Sequence, residues 1–242
     1  MIKVIGVIPA RWGSTRFEGK VLAQIHGKPM LQHVFERAKK SRSLDDVIVA
    51  CDDERVLKAA NVFGAKAVMT SPKHPSGTDR IAEAVRSLKV DIVVNIQGDE
   101  PLIQPKVIDD LVKALQKDKA CVIATTIKKL TDEADLNNPN VVKVVIDNKN
   151  VALYFSRSCI PFNRDGQPLE NVQYYKHLGL YAYRKSFLMK FNDLPKSSLE
   201  TAEKLEQLRV LEAGYKIKTV QTTADTIGVD TPEDLARVIT RK

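Results

Sequence analysis

Cysteine is scarce in this chain and poorly spaced for its usual tasks. Among 242 residues there are three, Cys51, Cys121 and Cys159. They lie too far apart for a zinc pattern and are odd in number for a disulfide framework, which fits a reducing compartment. Long apolar runs are also missing. The first, Val4–Ala10, is closed by Arg11 and is too short for a signal core or a membrane span. No small-residue cleavage site follows it. The expectation is therefore a soluble, cytoplasmic protein with no membrane insertion. The formal charge of +8 points to anionic partners, which could be nucleic acid, a membrane surface or a small polyanion. Aromatic residues make up only 6%. A nucleic-acid module would interleave aromatics with cations clustered on one face. Here the cations are spread along the chain, so no nucleic-acid partner is expected.

Two phosphate signatures are absent as well. No G-x-G-x-x-G occurs. The P-loop spacing is missed, because Gly13 and Gly19 enclose five residues and Val21 follows Lys20 where Ser or Thr is needed.

What is present is a regular alternation of strand-like and helix-like segments. Apolar runs at 2–8, 47–51, 67–69, 91–96 and 121–128 read as buried strands. Between them, helical spacing covers 30–39, 54–63, 79–88 and 105–116, with Thr78 or Asp79 as the cap of the third. This βαβ series predicts an α/β fold with a mostly parallel or mixed sheet covered on both faces. After Thr131 the pattern changes. A hairpin is expected from 141–147 and 151–155 around Asn148-Lys149-Asn150, then a turn-rich stretch at 161–175 and a strand at 178–183. Helices follow at 185–191 and about 201–213, then a strand at 217–221 and a last helix at 232–240. No repeat or linker interrupts the chain. Residues 1–242 read as a single domain, with an elaboration at about 131–195 as the expected place for a dimer contact.

Three separated segments carry the chemistry. The loop after the first strand holds Arg11, Ser14, Arg16 and Lys20 among its glycines. It lies at the carboxyl end of a strand, where open α/β sheets place ligands. Arg offers a planar fork for phosphate oxygens and Lys a mobile point charge. Asp99, in Gln97-Gly98-Asp99-Glu100-Pro101, follows another buried strand; it reads either as a turn residue or as a ligand. Asp230 precedes Thr231-Pro232-Glu233-Asp234. In that run Thr231 suits an N-cap, Pro232 the first helical position and Asp234 the reciprocal cap. Capping explains 231–234 but not Asp230. Two strand-end carboxylates match magnesium, which commonly takes one or two from the protein and completes its shell with water and phosphate.

Other residues stay open at this level. His74-Pro75-Ser76-Gly77-Thr78 is a stiffened turn that reads as a capped loop or as a place for close ligand approach. His177 reads as a structural hydrogen bonder, and Glu206-Gln207 as a polar pair beside core leucines.

Taken together, the motifs resemble the 3-deoxy-D-manno-octulosonate (Kdo) cytidylyltransferase family. The resemblance rests on Ile8-Pro9-Ala10-Arg11, Ser14-Thr15-Arg16, Gly19-Lys20 and Ser76-Gly77-Thr78. It continues through Asn95-Ile96-Gln97-Gly98-Asp99-Glu100-Pro101, Val142-Lys143-Val144-Val145 and Ala152-Leu153-Tyr154-Phe155-Ser156-Arg157. It closes with His177-Leu178-Gly179, Leu205-Glu206-Gln207-Leu208-Arg209 and Gly228-Val229-Asp230-Thr231. Their order and separation span nearly the whole chain. The resemblance implies a nucleotide-sugar-transferase-like (Rossmann-like) fold, a homodimer and transfer of CMP from CTP to Kdo for lipopolysaccharide synthesis. A related acid such as 8-amino-Kdo is the alternative acceptor.

The resemblance also assigns roles. Arg11, Ser14 and Lys20 would hold CTP phosphates. His74, Ser76 and Gly77 would read cytosine. Asp99 and Asp230 would bind Mg²⁺ and, with Arg11 and Lys20, form the catalytic set. Gln97, Arg157, His177, Tyr181, Glu206 and Gln207 would line the sugar-acid pocket. The chain departs from the family at Phe17-Glu18-Gly19-Lys20-Val21-Leu22, where Leu-Pro-Gly-Lys-Pro-Leu is common. It departs again at Lys73, where an Asp usually precedes the His.

Overall fold

Alternating burial along the first strand shows how the sheet is held. In β1 (Val4–Ala10), Val4, Ile8 and Ala10 enter one hydrophobic core, while Ile5 and Val7 enter a second on the opposite face. That period of two is the side-chain alternation of a strand buried on both faces. The structure is a computed structural model that describes residues 2–13, 17–166, 172–224 and 228–240. Ser14, expected to contact phosphate, lies outside the described residues.

After β1 come a single 3-10 turn (Lys20–Leu22), β2 (Gln24–Ile25), β3 (Lys28–Pro29) and α1 (Met30–Ala38). Next are β4 (Asp46–Cys51), α2 (Glu54–Val62), β5 (Lys66–Met69), α3 (Gly77–Val85), β6 (Ile92–Asn95) and α4 (Pro105–Lys117). The middle of the chain forms β7 (Cys121–Lys129), α5 (Glu133–Asn137), β8 (Lys143–Ile146), β9 (Ala152–Ser156) and β10 (Tyr175–Arg184). The last part is α6 (Lys185–Phe191), α7 (Ser198–Glu203), α8 (Gln207–Glu212), β11 (Lys216–Gln221) and α9 (Pro232–Thr240).

The main sheet runs β11-β7-β10-β6-β1-β4-β5, and the β8–β9 hairpin joins it through β10. The β1–β4, β1–β6, β4–β5 and β7–β11 pairs are parallel. β10 is antiparallel to both β6 and β7. The mixed, mostly parallel sheet expected from the sequence is what forms. Because β10 opposes both neighbours, β6 and β7 run the same way. The loops leaving β1, β6 and β11 therefore emerge at one edge, the ligand edge of such sheets.

Several elements differ from the sequence expectation. The third helix starts at Gly77, and its cap is Ser76, not Thr78 or Asp79; the Ser76 hydroxyl accepts from Asp79 N at 3.2 Å. Asp79 completes the exchange by accepting from Ser76 Oγ at 2.7 Å, a reciprocal cap that recruits the two residues before it into the first turn. The single helix expected at 201–213 is two. Lys204 takes left-handed angles (φ 56°, ψ 44°) and ends α7. Glu203 is held there by Ser156 Oγ and Arg157 N, tertiary bonds that override local helix propensity. The loop expected across 9–29 also folds back on itself through the β2–β3 pair. The last helix has the expected bounds.

Candidate active site

Lys20 stands between the two aspartates. Its Nζ donates to Asp99 Oδ2 at 2.6 Å, to Asp230 Oδ1 at 2.9 Å and to the Val229 carbonyl at 3.1 Å. Burial pulls this ammonium's pKa down. Asp99 and Asp230 outweigh that effect and hold it above the usual lysine value.

Backbone fixes the same arrangement. Val229 N donates to Asp99 O at 2.9 Å, joining the loop after β6 to the segment before α9. Gly98 makes the approach feasible, since a Cβ there would lie 2.8 Å from Pro9 O. On the other side Asp234 accepts from the N–H groups of Asp230 and Thr231, and Thr231 Oγ1 accepts from Asp234 N at 3.3 Å. The reciprocal cap uses Asp234 and leaves the Asp230 carboxylate to Lys20.

Lys20, Gly98, Asp99 and Asp230 line a cavity of ≈ 650 Å³ that Arg11 also lines. His74, Ser76, Gly77 and Arg80 line it too, from the start of α3. Ser76's hydroxyl is committed to its cap, and His74 Nε2 pairs with Glu83 Oε2. A Cβ at Gly77 would meet protein atoms no closer than Pro9 Cγ at 3.6 Å, so the protein's own packing does not require glycine there. Arg80 is buried and anchors the loop through Thr70 Oγ1 at 2.6 Å and Asp52 Oδ2 at 2.8 Å.

A second cavity of ≈ 240 Å³ adjoins the first, and Gly77, Gln97 and Glu206 line both. Tyr181 and Gln207 also line it. The register of β10 against β7 slips between Leu178 and Tyr181. That irregularity re-aims the strand, as bulges do. Within it the Gly179 carbonyl accepts from Gln97 Nε2 at 3.1 Å. The helix break at Lys204 starts α8 at Gln207 and lets Glu206 accept from Thr78 Oγ1 at 3.0 Å. Burial pushes the Glu206 carboxyl above its ordinary pKa.

Two polar atoms on this wall, Asn95 Oδ1 and Gln207 Nε2, are buried without a hydrogen-bond partner. A ligand with a donor and an acceptor would satisfy both. Glu100 Oε2 is likewise unpaired, and burial with Asp99 nearby pushes that carboxyl up to about 7.

Of the residues singled out from sequence, the first cavity brings together Arg11, Lys20, His74, Ser76, Gly77, Gln97, Asp99, Glu206 and Asp230. Arg157 and His177 line neither cavity. Arg157 Nε donates to Glu203 O at 2.7 Å and its Nη1 to Pro139 O at 2.9 Å. His177 packs against Tyr181 with ring centroids 5.3 Å apart, and its Nε2 is 2.9 Å from Thr125 Oγ1. Sequence reasoning passed over Asn95, Thr78 and Tyr183, which line the smaller cavity. Asn95 had a readable signal, since it is the one polar residue in the apolar run 92–96.

A cation-bearing loop thus faces strand-end carboxylates at the carboxyl edge of a mixed α/β sheet. The sequence model of the family described as cytidylyltransferase matches residues 5–217. The chain is 51% identical to a 3-deoxy-manno-octulosonate cytidylyltransferase of Geotalea uraniireducens (strain Rf4), over 99% of each chain. It is 53% identical to the protein of that name from Syntrophobacter fumaroxidans (strain DSM 10017 / MPOB), over 98% of this chain and 96% of the relative. Among solved structures, a CMP:2-keto-3-deoxy-manno-octonic acid synthetase complexed with CTP superposes with a TM-score of 0.93. It is 46% identical and aligns over 98% of this chain and 97% of that one. The chain belongs to the cytidylyltransferase family.

Proposed function

We propose that this chain transfers CMP from CTP to the anomeric C2 hydroxyl of Kdo, giving CMP-Kdo and pyrophosphate for lipopolysaccharide synthesis. The carrying observation is the Lys20–Asp99–Asp230 cluster in a cavity continuous with a smaller polar one, in a chain so similar to relatives of that name. The larger cavity takes the nucleotide. The smaller one takes the sugar acid.

The C2 oxygen forms a bond to the α-phosphorus. The bond from that phosphorus to the bridging oxygen breaks, and pyrophosphate leaves with the electron pair. The hydroxyl proton passes to water. Arg11 and Lys20 bind the triphosphate and stabilise charge on the leaving group. Backbone groups at His74, Ser76 and Gly77 read the cytosine edge. Gln97, Tyr181, Glu206 and Gln207 orient the acceptor, with His177 supporting Tyr181 and Arg157 supporting the hairpin beside the pocket. Burial pushes the thiols of Cys51 and Cys121 up to about 11, so neither serves as a nucleophile at neutral pH.

The donor set suits magnesium. Asp99 and Asp230 already converge on a single cation, the Lys20 ammonium, and both supply hard oxygen. Among the described residues no group of three or more His, Cys, Asp or Glu forms a metal site. Asp99 and Asp230 are the residues that would hold the ion. Bound there, it would supply positive charge and acidify the attacking hydroxyl. The protein acts as a homodimer in the cytoplasm on this reading. Among the described residues no helix is long and apolar enough to cross a membrane.

The test is mass spectrometry of products from CTP, Mg²⁺ and a panel of 2-keto sugar acids. CMP-Kdo with equimolar pyrophosphate is the expected result; no CMP adduct with any acid would reject the reading. Competing kcat/KM values for Kdo and 8-amino-Kdo settle the acceptor.

A further inference from the structure

The loop after β1 is held by a side-chain device centred on Trp12. Trp12 is the only tryptophan in the chain. Its Nε1 donates to Glu18 Oε1 at 2.8 Å, and the Arg55 guanidinium lies 3.6 Å from the ring centroid. Arg55 is itself fixed by Asp53, which accepts from Arg55 Nε at 2.8 Å and Nη2 at 2.7 Å. Trp12 N donates to Asp52 Oδ1 at 2.9 Å, and Asp52 is paired with buried Arg80. Arg55 thus covers the ring, Glu18 holds its N–H, and the Trp12 backbone is tied to α3 through Asp52 and Arg80.

This ring bears directly on Lys20. Gly19 N donates to Trp12 O at 3.0 Å, closing the loop. Gly19 has φ 66°, and a Cβ there would fall 2.7 Å from Trp12 Cη2. The indole therefore packs flat against Gly19 and fixes the chain direction one residue before Lys20, whose ammonium must reach both aspartates. Glu18 also lines the larger cavity. A carboxylate at a triphosphate pocket opposes its ligand electrostatically, so its presence calls for another role. Its bond to the indole supplies one.

We infer that Trp12 is a positioning residue for Lys20, held in place by Glu18 and Arg55, and that this clamp sets productive use of CTP without contacting the sugar acid. The inference rests on the reading that CTP occupies the larger cavity.

The experiment combines kinetics with fluorescence of the single tryptophan. Glu18 is exposed, so its variants should fold. In Glu18→Ala the kcat/KM for CTP should fall about fivefold, the scale of one lost hydrogen bond, with the KM for Kdo within about twofold. Glu18→Gln keeps an acceptor for the indole N–H and should stay within about twofold of wild type. Trp12→Phe keeps a ring but loses the donor and should resemble Glu18→Ala. The double variant should be no worse than either single, because both remove one bond. In the ligand-free protein, Glu18→Ala should also move Trp12 emission to longer wavelength. Faster use of CTP by Glu18→Ala, an equal loss in Glu18→Gln, or additive losses in the double variant would each overturn the inference. Wild-type turnover tests the CTP reading separately. If the wild type made no product, unchanged Trp12 emission in Glu18→Ala would still defeat the clamp, and a shifted emission would still support it.

Discussion

The two ends of the site handle polarity in opposite ways. At the charged end the functional groups already have partners in the protein, since Lys20 bridges Asp99 and Asp230 and His74 is paired with Glu83. A ligand there exchanges partners with groups that are partly exposed. At the neutral end, Asn95 Oδ1 and Gln207 Nε2 are buried and unpaired. A ligand there completes bonds that the fold leaves unmade. A ligand group that pairs with such an atom would add a buried hydrogen bond, and losing one costs about 1–3 kcal/mol. On the proposed function, charge would supply binding and transition-state stabilisation at one end, and hydrogen-bond geometry would supply selectivity at the other.

The comparison breaks most visibly if the charged end is neutralised. Asp99→Asn and Asp230→Asn should each lower kcat by about a thousandfold with the fold intact, as judged by circular dichroism. Near-normal turnover at saturating magnesium would remove that residue from the catalytic set. Arg11→Ala and Lys20→Ala should harm turnover more than affinity for Kdo, since their partners are on CTP. An effect confined to the KM for Kdo would move either residue to the other end.

Base selection gives the next largest effect. CTP should exceed UTP in kcat/KM by about a hundredfold, the scale of two mismatched hydrogen bonds at backbone groups near Gly77. Equal values would defeat the base-reading role of this loop and leave nucleotidyl transfer standing.

The neutral end yields a smaller and more diagnostic change. Gln207→Leu should raise the KM for Kdo by about tenfold and leave the KM for CTP within about twofold. The same substitution removes a buried unpaired donor, so the ligand-free protein should melt at the same temperature or higher. A variant that lost both Kdo affinity and stability would show that Gln207 is a structural residue.

The sequence made the charged end legible because each part of it is local. Arg11 and Asp99 each follow an apolar run, and the Thr231–Asp234 cap could be worked out on paper, leaving Asp230 unexplained and therefore of interest. The sheet order was legible only in class, since the insertion of antiparallel β10 between β6 and β7 depends on pairings far apart in sequence. The neutral end was least legible for the same reason. It depends on a register slip near Gly179, where a glycine inside a strand hints at a bulge without fixing its register, and on a left-handed Lys204, which carries no local signal for that conformation. Glu203, held by Ser156 and Arg157, ends a helix that spacing alone would have continued. Thr78 was misread as a cap for a related reason. Its hydroxyl goes to Glu206, a partner 128 residues away.

The smallest effect comes from pH and concerns His177, which packs against Tyr181 behind the neutral end. Burial pushes the His177 imidazole down to about 3, against an ordinary value of 6.5. It is therefore neutral in the folded protein at any working pH, and its Nε2 remains with Thr125. In the unfolded chain it takes up a proton near 6.5. A group with a depressed folded pKa contributes stability that is fully present above the unfolded value and is lost as pH falls towards the folded one. The window for His177 thus runs from about pH 6.5 down to about pH 3. Between pH 6.5 and 5.5 the loss is about 1 kcal/mol, or roughly 2–4 °C in Tm for a chain of this size. His177→Gln keeps a polar group opposite Thr125 but cannot titrate. Thermal melts at the two pH values should show the wild type losing that much more than the variant. Equal losses would mean that His177 is accessible to protons in the folded state.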